Sequence, residues 1–118
     1  MKYFGYILVL FLSLNGFIKV QAQIQPDFQW GKGSYFNLDI GESVIYQDTE
    51  VKLLQLKNHF NQFKIGNDTV WLKVSRRTLP KVTSGIRIFV ADNKNVKALD
   101  NKSEIHSLLQ KDAIICLS

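Results

Sequence analysis

This chain has little with which to staple or stiffen itself. It has one cysteine, Cys116, and two prolines, Pro26 and Pro80. A single thiol closes no internal disulfide, so the fold is not a cystine-framed scaffold and must hold by packing. Cys116 lies in the apolar run Ala113 to Leu117 and reads as a small buried hydrophobe. A nucleophilic cysteine needs a base or a cationic neighbour, and the local sequence offers neither. Histidine is also scarce. His59 and His106 are far apart, and the spacings H-x-H, H-E-x-x-H and C-x-x-C do not occur, so the residues carry no zinc signature and no cofactor is expected. Each histidine reads as an ordinary surface or edge residue. Strong charge is missing too. The net charge of +5 is spread along the chain except at Arg76-Arg77, which is not a nucleic-acid footprint.

What is present begins at the N-terminus. Lys2 gives a positive start, Phe4 to Leu14 is almost wholly apolar, Gly16 loosens the chain, and Val20-Gln21-Ala22 places small residues at the −3 and −1 positions of a cleavage site. That is the three-part layout of a secretory signal peptide over residues 1–22. A retained anchor is the alternative. Its spanning helix wants about 20 apolar residues, whereas Asn15 and Lys19 interrupt this run. No cysteine follows the run, so acylation of a new N-terminal cysteine is excluded. Cleavage after Ala22 removes Lys2 and Lys19 and no acid, bringing the net charge from +5 to +3. The expected product is an exported domain of the periplasm or cell envelope, free of the membrane once cleaved. It is mildly basic and compatible with an anionic wall.

Residues 23–118 form one domain by length. Alternation predicts strands at Tyr35 to Ile40, Ser43 to Gln47, Glu50 to Lys57 (with Val51, Leu53, Leu54 and Leu56 inward or bulged), Phe60 to Ile65, Val70 to Ser75, Ile86 to Ala91 and Ala113 to Leu117. The turn formers Gly66-Asn67-Asp68-Thr69 make residues 60–75 the clearest hairpin. Asp92-Asn93-Lys94-Asn95 reads as a polar turn. It lacks the glycine and terminal glutamate of a calcium loop. Ser103 reads as the N-cap of a short helix carrying Ile105, Leu108 and Leu109 at helical spacing. The expected fold is mainly β: a small antiparallel β-sandwich or barrel with one short helix near the C-terminus.

The remaining acids fall mostly in turns, where backbone preferences account for them. Asn67-Asp68-Thr69 and Asn101-Lys102-Ser103 match the glycosylation sequon, a pattern common by chance. Arg76 and Arg77 open a loop and are either solvated or able to grip an anion. Trp71 and Phe89 lie on strand faces opposite Val70/Leu72 and Ile86/Ile88. They are core if both sheet faces are covered and a binding platform if one is wet. Arg76, Arg77, Trp71 and Phe89 are thus the candidate binding surface. No catalytic and no metal-ligating residue is expected.

The segments Gly66 to Pro80, Gly85 to Lys97 and Lys111 to Ser118 resemble the N-terminal region of exported lysostaphin-like murein endopeptidases. These are zinc peptidases whose ligands lie in H-x-x-x-D and H-x-H motifs of a later catalytic domain. Neither motif is present: His59 is followed at the fourth place by Phe63, and His106 by Gln110. The resemblance therefore implies a non-catalytic leading domain and a truncated or split parent, and carries no catalytic residue over. The functional expectation is an accessory domain of a cell-wall metallopeptidase, partnered by a downstream catalytic domain or by peptidoglycan. The alternative is a free-standing envelope binding module, and a small enzyme is the last choice.

Overall fold

The computed structural model describes residues 22–23, 25–75, 80–99, 102 and 104–118. The leader up to 21, Arg76 and Arg77, and the Ser103 cap all lie outside those residues. Ten strands, β1 (Ala22–Gln23), β2 (Phe28–Trp30), β3 (Gly33–Leu38), β4 (Ser43–Tyr46), β5 (Thr49–Lys57), β6 (Phe60–Ile65), β7 (Asp68–Lys73), β8 (Lys81–Thr83), β9 (Ile86–Asn93) and β10 (Ala113–Leu117), form two five-stranded sheets. The front sheet has the order β1-β4-β5-β6-β7 and the back sheet β2-β3-β10-β9-β8. All pairings are antiparallel except β1 on β4, where Ala22 sits opposite Ser43 and Gln23 opposite Val44. The expected cleavage bond, Ala22–Gln23, therefore lies inside β1. The chain is a mainly β, small sandwich, as its strand alternation implies. Among the described residues no helix is long and apolar enough to cross a membrane.

Hairpins build most of this. Gln47 and Asp48 both have positive φ (50° and 65°), as do Ser84 and Gly85 (52° and 79°), which gives two-residue turns that match strand twist. The clear hairpin is β6–β7, where Gly66 (φ 61°) opens a two-residue loop between Ile65 and Asp68. Inward residues of both sheets meet in one core containing Phe36, Leu38, Leu53, Phe63, Ile65 and Ile115, all essentially without exposure. The inward or bulged reading of β5 holds: the register shifts between Leu53 and Gln55, so Leu54 is the extra residue. Ile40 falls outside β3 and is exposed, because the chain turns toward β4 after Leu38.

The structure corrects the reading of residues 92–95 as a polar turn. A bulge at Ala91 lets β9 run on to Asn93, with Asp92 opposite Ile114 and Asn93 opposite Ala113. Asn93 then caps helix α1 (Lys94–Leu99): its side-chain oxygen accepts the Val96 N–H at 2.9 Å. The expected helix around Ile105 is a 3₁₀ turn, Glu104–Leu108. This turn forms a strap over the outer face of the back sheet, where Ile105, Leu108 and Leu109 pack with Ala91 and Ile114.

His106 is a second correction. It is buried in the strap, and its Nδ1 lies 2.6 Å from Oδ2 of the equally buried Asp92. Ser107 beside it is exposed and Ile105 is half-buried, and the burial of His106 follows from where the bulge aims Asp92. Between the sheets, Asn61 and Asn93 form a second buried polar pair. Asn93 Nδ2 donates to Asn61 Oδ1 (3.0 Å) and to the Asn58 carbonyl (3.1 Å), while Asn61 Nδ2 donates to the Leu72 carbonyl (2.9 Å). Such partners are what make a buried amide tolerable.

Candidate functional site

The two sheets meet along one side, where β9 changes partner. Over Ile86–Ile88 it pairs with β8. Continuing that register sets Pro80 beside Phe89, and a proline has no N–H to give the ladder. At Val90 the partner becomes the end of β7: Val74 forms a parallel bridge with Val90, and the Ser75 N–H donates to the Val90 carbonyl at 3.0 Å. The break in the ladder opens a cleft of about 310 Å³ lined chiefly by Trp71, Lys73, Ser75, Lys81, Ile88 and Phe89.

Trp71 reaches the rim by strict alternation. Leu72 points into the core, so Trp71 and Lys73 point out, and Trp71 is 45 % exposed. Register places Gln62 beside Trp71 and Gln55 beside Gln62, and the Gln55 and Gln62 side chains hydrogen-bond at 2.8 Å. The front sheet's outer face at Trp71 is therefore wet. Phe89 comes from the other sheet. It is half-buried, and its ring meets Tyr35 edge-on at 6.2 Å. The two aromatics singled out in the sequence thus line the same cleft. Arg76 and Arg77 belong to the connection between Ser75 and Pro80 and lie outside the described residues, so the site is built without them.

Two lining residues were missed in the sequence reading, Lys73 and Lys81. The signal for Lys73 was available, since it follows Trp71 by two places on one face of a clean strand. Lys81 had none beyond its place after Pro80. Both are exposed, one from each sheet, and neither forms an ion pair among the described residues. The named lining contains no carboxylate, imidazole or thiol. The chemistry on offer is apolar and aromatic contact with two ammonium groups, which suits holding an anionic ligand rather than moving a proton.

Elsewhere on the back sheet, register lines up Phe28, Tyr35, Cys116 and Phe89 across the outer face. Burial pushes the Tyr35 hydroxyl up to about 12, with Cys116 adding to the shift. Burial likewise raises the Cys116 thiol, which leaves it a poor nucleophile at neutral pH. Gly33 makes room for that thiol: a Cβ there would sit 2.6 Å from Cys116 Sγ. Among the described residues no group of three His, Cys, Asp or Glu side chains is placed to hold a metal. Comparison with protein-family models, with curated proteins and with solved structures gives no match to this chain.

Proposed function

We propose that this chain is a non-catalytic, exported binding module of the cell envelope, an accessory domain that acts beside a peptidoglycan metallopeptidase. The observation that carries the binding part is the cleft between β7 and β9, where Trp71 and Phe89 from opposite sheets meet Lys73 and Lys81. The leader-like N-terminus and the resemblance to murein endopeptidase leading regions support the wall as its target. The module would anchor its partner on the substrate and perform no hydrolysis itself.

The test is retention of the purified protein on insoluble peptidoglycan. Truncating a central aromatic anchor costs about 2 kcal/mol, or roughly thirtyfold in affinity. Trp71→Ala should lower retention by that order while leaving thermal unfolding nearly unchanged, since Trp71 is outside the core. Retention equal to that of the unmodified protein would remove the cleft from the function. Hydrolysis of the wall by this chain alone, unaffected by chelators, would overturn the non-catalytic reading.

A further inference from the structure

Building on that proposed binding role, we infer that the cleft takes the carboxylate end of an extended peptide, such as the free end of an uncross-linked wall peptide, and not the glycan. Three features of the slot carry this. First, its walls are tied together on both sides. At one end the Ser75–Val90 hydrogen bond and the Val74 bridge join β7 to β9. At the other, the Asp68 carboxylate accepts the Thr83 and Ser84 hydroxyls, each at 3.3 Å, and Ser84 also donates to the Ile65 carbonyl. Ties on both sides limit the length of ligand that can lie between the walls, which favours a chain end over a running polymer.

Second, one wall of the slot is the edge of a strand. β7 is the last strand of the front sheet. The Val74 N–H is given to the His59 carbonyl on the β6 side at 2.8 Å. Ladder alternation then turns the main-chain groups of Leu72 toward β6 and those of Trp71 and Lys73 toward the slot. An extended peptide has the hydrogen-bonding pattern to pair with such an edge, and sugar rings do not.

Third, the charges match an acid. Lys73 stands on the β7 wall and Lys81 on the β8 wall, with no acidic side chain named between them and an apolar floor of Leu72 and Ile88. Two ammonium groups over an apolar floor complement a carboxylate whose attached side chains are small and apolar. Uncharged sugar rings can accept hydrogen bonds from the lysines but bring no opposite charge to them. A volume of about 310 Å³ sits at the small end of ligand sites, which fits one chain end.

The experiment follows Trp71 fluorescence in the whole protein carrying Trp30→Phe, so that Trp71 is the sole reporter. Three probes are titrated: a short stem-type peptide with a free C-terminal carboxylate, the same peptide amidated, and N-acetylglucosamine oligomers, a glycan without any carboxylate. The free acid should bind, and amidation should weaken it about tenfold, the size of one lost charge-assisted contact. Lys73→Gln and Lys81→Gln should each weaken the free acid by a similar factor with unchanged thermal unfolding, and added salt should weaken it too. Equal binding of acid and amide, or an unchanged affinity in the double Lys73→Gln/Lys81→Gln protein, would overturn the inference. Binding of the carboxylate-free oligomers that depends on Trp71 would overturn it as well, while leaving the wall-binding role standing. Failure to bind any of the three, with no retention on intact wall, would sink both.

Discussion

The front sheet leaves its outer face to water, whereas the back sheet covers part of its own. On the front sheet, Lys64, Trp71 and Lys73 alternate with Phe63, Ile65 and Leu72, so each strand has one dry side and one wet side. On the back sheet, Asn37, Ala91 and Ile114 point outward and are still buried, because the strap lies over them. The strap is tied down by polar groups. The Asn37 amide donates to the Leu108 carbonyl at 3.2 Å, and its oxygen accepts the Gln110 N–H at 2.7 Å. The His106–Asp92 pair adds a third tie. The contrast separates two duties. Side chains on the wet face and its rim are free to meet a ligand, and those under the strap hold the molecule together.

Opposite faces of one hairpin should show this most strongly. Phe63 is fully buried and Trp71 is nearly half exposed. Phe63→Ala should cost about 3–5 kcal/mol, and Trp71→Ala should stay within about 0.5 kcal/mol. Urea unfolding of the two variants checks this, and comparable losses would erase the distinction between the faces. A second variant probes the strap. Asn37→Ala leaves the Leu108 carbonyl and the Gln110 N–H without that partner, at a cost of about 1–3 kcal/mol. Hydrogen exchange locates the loss. Amides of residues 104–110 should exchange faster, and those of β5 and β6 should not. Uniform acceleration would mean that the strap and the front sheet unfold as one unit.

The contrast also explains which parts were legible in the sequence. The front sheet was, because its one wet face leaves period-two alternation intact in Phe60–Lys73, and Gly66 marks the turn. β9 was legible only up to Ala91. There the bulge shifts the phase by one residue, so Asp92 and Asn93, which look like turn residues, finish a strand and are buried. A bulge is set by pairing with β10, and no local pattern announces it. Of the strap, the short helical segment was legible at Glu104–Leu108, but its 3₁₀ form was not, for a related reason. Ile105, Leu108 and Leu109 have the spacing of an amphipathic helix, but they are held by tertiary contacts to Asn37 and Asp92, which lie many residues away. The cleft was half visible. Trp71 and Phe89 stood out as aromatics on the outer faces of strands, but the break in the β9 ladder that brings them together depends on Val74, Pro80 and Val90 meeting in space.

The smallest predicted effect concerns the joint where the strap's exit meets the crossover between sheets. Asp112 Oδ2 accepts the Ile40 N–H at 2.9 Å, its Oδ1 lies 3.0 Å from Lys94 Nζ, and Lys111 pairs with Glu42 at 2.8 Å. Partial burial pushes the Asp112 carboxyl up, but the Ile40 N–H and Lys94 outweigh it and hold the group below the ordinary aspartate range. For Glu42, burial is likewise outweighed, by Lys111 and the Asp39 N–H, and its value is also lowered. The hydrogen bond to Glu42 raises Lys111. A carboxylate lowered in the folded state stabilises fully above its unfolded value, about 3.9 for Asp and 4.3 for Glu. That contribution is lost as pH falls through the lower folded value. The raised lysine stabilises below about 10.4 and loses its effect as pH climbs past that. The joint's contribution should therefore be flat through neutrality and fall below about pH 4. These groups are partly exposed, so the joint should contribute no more than about 1 kcal/mol. Asp112→Asn should lower the melting temperature slightly at neutral pH and flatten its acid limb, with the neutral-pH difference shrinking in high salt. An acid limb as steep as that of the unmodified protein would place the titrating groups elsewhere, and a loss well above that at neutral pH would make the joint, and not the strap's buried ties, the main hold on the back sheet's cover.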